Sequence, residues 1–309
     1  MVDYSRDCQI VEDEAEGSHS ISFHCFDTVN TITVFHDGDM GDDVERLLND
    51  AHQSCLEFHR LWSFTLEDSD IARINASPTR CVVDFRTAML LSAMKAFHAI
   101  EPVFDFTIGS VSYLWKHAER MPSDDEVKEA LTHVGAEKIV IEGSVVLKAD
   151  PLVQVDVGGS AKGFIADAVA ARLRLAGIKS ARIDLGGNLY LLGSHPSGRL
   201  WRAAVRSPKG MQVEGPIMEL RDQSVVTSGS YERFVELDGV RYQHIVDAVT
   251  GRPSNSDIIS ATAVSASSLQ ADMLATTVLL TGTRGLPSLR SRHPEALIVA
   301  FDRSGAVVQ

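Results

Sequence analysis

Three patches of this 309-residue chain carry side chains that can do chemistry. The first is Gly158-Gly159-Ser160-Ala161-Lys162-Gly163, which follows a strand-like run and opens a helical one. Free N–H groups and the positive end of a helix dipole favour a phosphate there, and Lys162 adds a point charge. The spacing is neither GxGxxG nor GxxxxGK[ST], because the lysine precedes the last glycine. The same residues also suit a turn needed only for helix–strand packing. The second patch is Asp272 and Thr276 in QADMLATTVLL, whose i, i+4 spacing puts a carboxylate and a hydroxyl on one helix face. Such oxygens suit Mg²⁺, which keeps water and phosphate oxygens as its remaining ligands. The alternative is a carboxylate bonded to a neighbouring backbone turn. The third patch, TSGSYERFVELDGVRYQHIVDAVTGRPS, gathers Ser228, Tyr231, Arg233, His244, Asp247 and Thr250. His244 and Asp247 face opposite sides if the segment is a strand, so they need not touch. A lone histidine there also serves a purely structural role. No GxSxG elbow, HExxH or kinase motif set is present.

Positioning these patches requires both helices and strands. Residues 20–35 (SISFHCFDTVNTITVF) alternate and are rich in β-branched residues, which predicts a strand pair. Residues 42–62 predict a helix with Val44, Leu47, Leu48, Ala51, Cys55, Phe58 and Trp62 on one apolar stripe. His52 and His59 lie two turns apart on it and read as satisfied surface or core residues. A second helix is expected over 85–100. A capping box at Ser123 and Glu126 starts a third, with Gly135 as its stop. A hairpin turning at Glu142-Gly143-Ser144 follows. The stretch from Gln154 to Gly193 reads strand, glycine turn, helix over 161–176, strand. Asp-x-Gly-Gly occurs at 156–159 and 184–187, read as similar tight turns. Strands are expected at 201–206 and 225–227, an apolar helix at 268–282, and a hairpin at the end of the chain.

The length makes two domains the expectation, with one large domain as the alternative, and a core that needs no disulfide or metal staple. The first 20 residues read as an acidic disordered tail, and 21–309 as the folded region with a sub-boundary near 150. Lys and Arg total 29 against 42 Asp and Glu, a net charge of −13. That balance argues against nonspecific binding to nucleic acid or to an anionic membrane. Cys8, Cys25, Cys55 and Cys81 form no CxxC pair and no disulfide framework. The start of the chain lacks the basic and apolar regions of a signal peptide, and no run spans a bilayer. A cytoplasmic location without membrane insertion is the expectation.

Taken in order along the chain, the motifs resemble the ApbE family of flavin transferases. FDTVNTITVF (26–35) is similar to the family's opening strand, and DSDIARIN (68–75) to its dSelsrlN element. Residues 103–109 (VFDFTIG) resemble aFDpTvGp, and VDVGGSAKGFIAD (155–167) resembles lDlGgiAKGya-D. TSGSYERF (227–234), HIVDAVTG (244–251) and ADMLAT (271–276) are similar to three further family elements. The likeness covers about Phe26 to Gly282. Departures are the SVSYLW run (110–115) in place of a PLVNLW-like one, Ala248 in place of proline, and Asn188 where an acid is common.

The resemblance implies an α+β fold of antiparallel sheets flanked by helices, T-fold-like. It implies Mg²⁺-dependent transfer of FMN from FAD to a threonine or serine hydroxyl of an acceptor protein, with release of AMP. A Mg²⁺-dependent FAD pyrophosphatase and a non-catalytic flavin-binding protein are the alternatives. By the same resemblance Asp272, Thr276 and the Ala161 carbonyl hold Mg²⁺. Val103, Phe104, Asp105, Thr107, Gly158, Gly159, Lys162 and Asp167 contact FAD, Phe64 lies against the isoalloxazine, and His244 is catalytic.

Overall fold

The structure is a computed structural model that describes residues 8–36, 41–205, 207–208, 215–231 and 234–308. Its strands are β1 (Cys8–Asp13), β2 (Ser18–Cys25), β3 (Thr28–Phe35), β4 (Arg80–Val82), β5 (Ile139–Glu142), β6 (Val145–Lys148), β7 (Ser180–Leu185), β8 (Asn188–Gly193), β9 (Trp201–Ala204), β10 (Ile217–Leu220), β11 (Gln223–Gly229), β12 (Phe234–Leu237), β13 (Val240–Gln243), β14 (Ile258–Ser265), β15 (Leu297–Asp302) and β16 (Val307–Val308). Its helices are α1 (Gly41–Trp62), α2 (Asp70–Ala76), α3 (Phe85–Ile100), α4 (Gly109–Lys116), α5 (Asp124–Thr132), α6 (Ala161–Leu175) and α7 (Ser268–Arg292).

A nine-stranded sheet in the order β1-β2-β3-β7-β8-β11-β14-β15-β16 forms the centre, and every paired strand in it is antiparallel. This is the expected α+β architecture. Helices α1, α6 and α7 cover one face. Between them lies a core that includes Ile32, Leu48, Phe58, Ile165, Ile183 and Leu274. On the opposite face the β9–β10 pair packs Trp201, Met218 and Leu220 against Val225, Val299 and Phe301. A third cluster joins Val111 and Trp115 of α4, Val127 of α5, Leu237 of β12 and Val246.

Two expectations are corrected. Residues 8–13 are not a disordered tail: they form β1, paired with β2 from Cys8↔Phe23 to Asp13↔Ser18. The acidic charge there lies on exposed positions of an edge strand, while Cys8 and Ile10 pack on the core. Residues 1–7 and Arg233 lie outside the described residues. The strand expected from Gln154 is an extended segment instead. Its backbone is satisfied by Asp156 N–H to Phe106 O (2.8 Å) and Gly109 N–H to Gln154 O (3.0 Å). The Asn75 side chain both donates to Val155 O (3.1 Å) and accepts from Val155 N–H (2.8 Å). A side-chain amide thus completes what a neighbouring strand would supply.

The position near 150 is bridged by chain on both sides. Buried Lys148 donates from Nζ to the carbonyls of Ile74, Asn75, Ser77 and Pro151. The main core draws residues from before and after it. Buried Glu101, at the C-terminal end of α3, holds Arg292 through two bonds of 2.6 Å and His293 at 3.0 Å, clamping α3 to the end of α7. Gly282 interrupts α7 at φ 64°, so the regular helix from Ser268 stops where the sequence placed its end.

The tightest helix contact is between α6 and α7. A Cβ on Gly163 would lie 2.5 Å from Ser268 O and 2.6 Å from Leu269 Cα. Both are backbone atoms, so no side chain can yield. Gly163→Ala is therefore expected to lower stability by about 1–3 kcal/mol, the usual cost of overpacking. Urea denaturation followed by circular dichroism checks it; an unchanged midpoint would show that the helices separate freely.

Candidate active site

Two cavities meet beside the N-terminal ends of α6 and α7. One is a polar chamber of about 370 Å³, and the other an aromatic chamber of about 950 Å³. Six residues line both and form a waist: Asp27, Ser112, Asp156, Gly158, Lys162 and His244.

Asp272 and Thr276 stand side by side in the polar chamber, one turn apart on α7. Asp272 is 4% exposed, and its Oδ2 accepts the Gly163 N–H at 2.9 Å. Burial pushes its carboxyl up from the usual range; the Lys162 charge and the Gly163 bond pull it back. Among the described residues no lysine or arginine forms an ion pair with it. A carboxylate so placed repels a phosphate unless a cation sits between them. Thr276 donates its hydroxyl to Asp272 O at 3.2 Å, leaving its lone pairs to the chamber. These hard oxygens fit Mg²⁺ by type, while among the described residues no group of three or more His, Cys, Asp or Glu could hold a metal ion. Ala161 lines the aromatic chamber, in the α6 turn that also contains Gly163.

The glycine turn departs from a phosphate cradle. Gly158 N–H donates to Asp156 Oδ1 (2.8 Å), Ser160 and Ala161 N–H to Val157 O, and Gly163 N–H to Asp272. Four of its six amides are thus committed within the protein. What the turn offers is close approach: a Cβ on Gly159 would sit 3.1 Å from Thr276 Oγ1 and 3.4 Å from the Phe104 ring. Lys162 Nζ donates one bond, to Gly186 O at 3.0 Å.

Val103, Phe104 and Asp105 line the polar chamber. Asp105 Oδ1 is occupied by Thr107, through its N–H (2.8 Å) and hydroxyl (2.6 Å). The other two expected FAD residues lie outside both linings. Thr107 is fully buried and accepts from Gly135 N–H. Asp167 caps α7, accepting from Ser268 N–H (2.8 Å), Leu269 N–H (3.0 Å) and Ser267 Oγ (3.0 Å). Burial raises its carboxyl, and these three bonds oppose the rise. A carboxylate at a helix N-terminus is where its charge is best placed, and Asp167 sets the position of α7.

Phe64 lines the aromatic chamber, 43% exposed, with Lys116 Nζ 5.7 Å from its ring centre. Phe26, Trp62, Trp115 and Tyr242 complete an aromatic wall, and His59 joins it rather than the plain surface or core. Trp115 Nε1–H donates to Gly251 O at 2.8 Å, fixing α4 to the loop that follows His244. His244 is exposed at the waist, while Ile245 and Val246 beside it are buried. Asp247 organises its own turn by accepting from Val249 and Thr250 N–H. Phe26 and Asp27 form the two-residue β2–β3 turn, both at φ 57°, and reach the cavity from left-handed backbone.

Asp27, Ser112 and Asp156 are waist residues that the sequence did not single out. The Asp-x-Gly-Gly tetrapeptide, the opening FDT and the SVSYLW run pointed near them. The two Asp-x-Gly-Gly turns also differ: Gly186 and Gly187 both have positive φ, whereas Gly158 and Gly159 do not.

The description of the ApbE family matches residues 26–300 of this chain. The chain belongs to the ApbE family. An FAD:protein FMN transferase of Treponema pallidum is 35% identical over 285 residues, spanning 84% of this chain and 79% of its own. One from Vibrio cholerae is 31% identical over 271 residues, with the same two coverages. The solved flavin transferase ApbE from Vibrio cholerae superposes with a TM-score of 0.84 at 26% identity, covering 94% of this chain and 95% of its own. The flavinyl transferase ApbE of Pseudomonas stutzeri, apo form, gives 0.83 at 26% identity over 97% and 93%. The ApbE likeness therefore extends over both chambers.

Mg²⁺ is expected to raise the thermal midpoint of the wild type, because it binds only the folded state. The midpoint of Asp272→Ala should not respond. An equal shift in both proteins, read by differential scanning fluorimetry, would remove Asp272 from the metal site. Gly159→Val should weaken FAD binding while circular dichroism stays native; unchanged affinity would leave the turn a purely structural feature.

Proposed function

We propose that this chain transfers FMN from FAD to a hydroxyl of an acceptor protein, releasing AMP. The observation that carries the reading is the placing of Asp272 and Thr276 in a chamber that opens, past His244, onto an aromatic one. It is supported by relatives and solved structures named as flavin transferases. The aromatic chamber takes the isoalloxazine, and the polar chamber takes the pyrophosphate and the AMP half. Asp272, Thr276 and the Ala161 carbonyl would hold Mg²⁺, which supplies neutralisation of pyrophosphate charge when bound.

The chain's own residues do the rest. Lys162 lies on α6 between the chambers and puts a positive charge near the phosphate to be transferred. His244 is reachable from solvent and from both chambers, where the hydroxyl of an acceptor would arrive. Imidazole accepts a proton near neutral pH and is suited to take the hydroxyl's proton as it attacks. Asp105 and Asp167 hold backbone in place, and Phe64 flanks the flavin ring. Among the described residues no helix is long and apolar enough to cross a membrane.

The test is incubation with FAD, Mg²⁺ and candidate acceptor proteins. A fluorescent, covalently flavinylated acceptor is the expected product; FMN released into solution with no labelled protein would convert the reading to FAD hydrolysis. His244→Asn should lower turnover by roughly 10²–10⁴-fold with little change in FAD affinity, the usual worth of general acid–base catalysis. A large loss of affinity with turnover preserved at saturating FAD would overturn the catalytic role.

A further inference from the structure

The aromatic chamber differs from the waist in charge as well as in shape. At the waist the charges are mixed: Lys162 stands there with Asp27 and Asp156. Among the residues that line the aromatic chamber alone there is no Asp or Glu. The arginine and lysine among them are Arg60, in the last turn of α1, and Lys116, in the last turn of α4. In a chain with 42 acidic residues against 29 basic ones, this is a local inversion of charge. Both cations are exposed, and among the described residues neither pairs with a carboxylate. Arg46, Arg73, Arg86 and Arg172 each do. A helix dipole favours a cation in the last turn, which accounts for their place on the helices but not for the missing carboxylates. Lys116 Nζ lies 5.7 Å from the Phe64 ring centre, and Phe234 exposes a second ring on the same lining.

FAD leaves both cations without a counter-charge. Its oxidised ring system is neutral, and on the functional reading above its phosphates lie past the waist, in the polar chamber. It also leaves space. Pockets of about 300–1,000 Å³ enclose a whole drug-sized ligand. The aromatic chamber, at about 950 Å³, would hold the ring half of FAD and a further group beside it. We propose that the exposed rim of this chamber receives an acidic segment of the acceptor protein. Carboxylates of that segment pair with Arg60 and Lys116, its apolar groups lie against Phe64 and Phe234, and its hydroxyl residue reaches His244 at the waist. Because the segment is the second substrate of the proposed transfer, the assignment rests on the transferase reading. Exposed charges of this kind steer encounter and reject the wrong partner more than they add affinity. The same two groups would repel a basic segment.

The probes are three synthetic peptides, each with a single threonine flanked by Asp and Glu, by Asn and Gln, or by Lys. Their binding to the FAD- and Mg²⁺-loaded protein is read by fluorescence anisotropy. The acid-flanked peptide is expected to bind roughly three- to tenfold tighter than the neutral one, the combined worth of a few exposed ion pairs. High salt should remove the preference. Arg60→Gln with Lys116→Gln should abolish it, and Arg60→Glu with Lys116→Glu should turn it toward the lysine-flanked peptide. Both positions are exposed, so the fold should persist. The ratio of affinities is taken within one protein, so a loss common to all three peptides does not enter it. Equal binding of the three peptides by wild type, or an acid preference that survives both double variants, would overturn the assignment. FAD left unconsumed by wild type with every candidate acceptor protein, while the peptide preference persists, would instead overturn the transferase reading and with it the acceptor role of the rim.

Discussion

The approach of α6 to α7 at Gly163 is the constraint on which the site rests. With no side chain there, the first turn of α6 comes close enough for its amide to bind the buried Asp272 carboxylate. The same approach lets Asp167, one turn further along α6, cap α7. It also brings Gly159 against Thr276. Asp167 fixes where α7 begins, Gly163 fixes how near it lies, and Gly159 keeps the resulting gap open. The large antiparallel sheet serves this arrangement by giving both helices one apolar floor.

Charge is distributed so that each part of the cavity suits a different portion of an elongated ligand. Lys162 puts positive charge at the waist, and the buried Asp272 carboxylate puts negative charge in the polar chamber. Flat, polarisable groups belong among Phe26, Trp62, Trp115 and Tyr242, where edge and face contacts with aromatic rings are available. The loop carrying His244 lies between the two regions and is anchored outside them. Trp115 ties it to α4, and buried Ile245 and Val246 seat it in the protein. An exposed imidazole is therefore carried on a rigid support, which keeps its geometry.

Much of this was legible in the residues. The apolar stripe of α1, the Ser123 capping box and the end of the apolar helix at Gly282 rest on local physics, and all are found. Asp272 and Thr276 share a face because helical spacing requires it. What escaped depends on distant partners. Gln154–Val157 looks like a strand, but its backbone is satisfied by Phe106, Gly109 and the side chain of Asn75, some 80 residues away. The acidic start reads as disorder by composition, yet β2 offers it an edge. Asp167 and Gly158 stand in one motif, yet the carboxylate of one and the amide of the other are spent inside the protein. Motif position says which residues gather, whereas hydrogen bonding decides which of their polar groups stay available to the cavity.

The β2–β3 turn has a consequence for how this chain can change. Two-residue hairpins of this kind favour Asn-Gly, since left-handed backbone costs an ordinary L-residue about 1–2 kcal/mol. Here Phe26 and Asp27 occupy it, and both are chamber-wall residues. Mutational drift toward a sturdier hairpin would thus erode the wall, while selection on the ligand keeps the hairpin under strain. Thermal robustness and recognition compete for the same two codons, which marks this turn as a place where a heat-adapted relative and this chain should diverge.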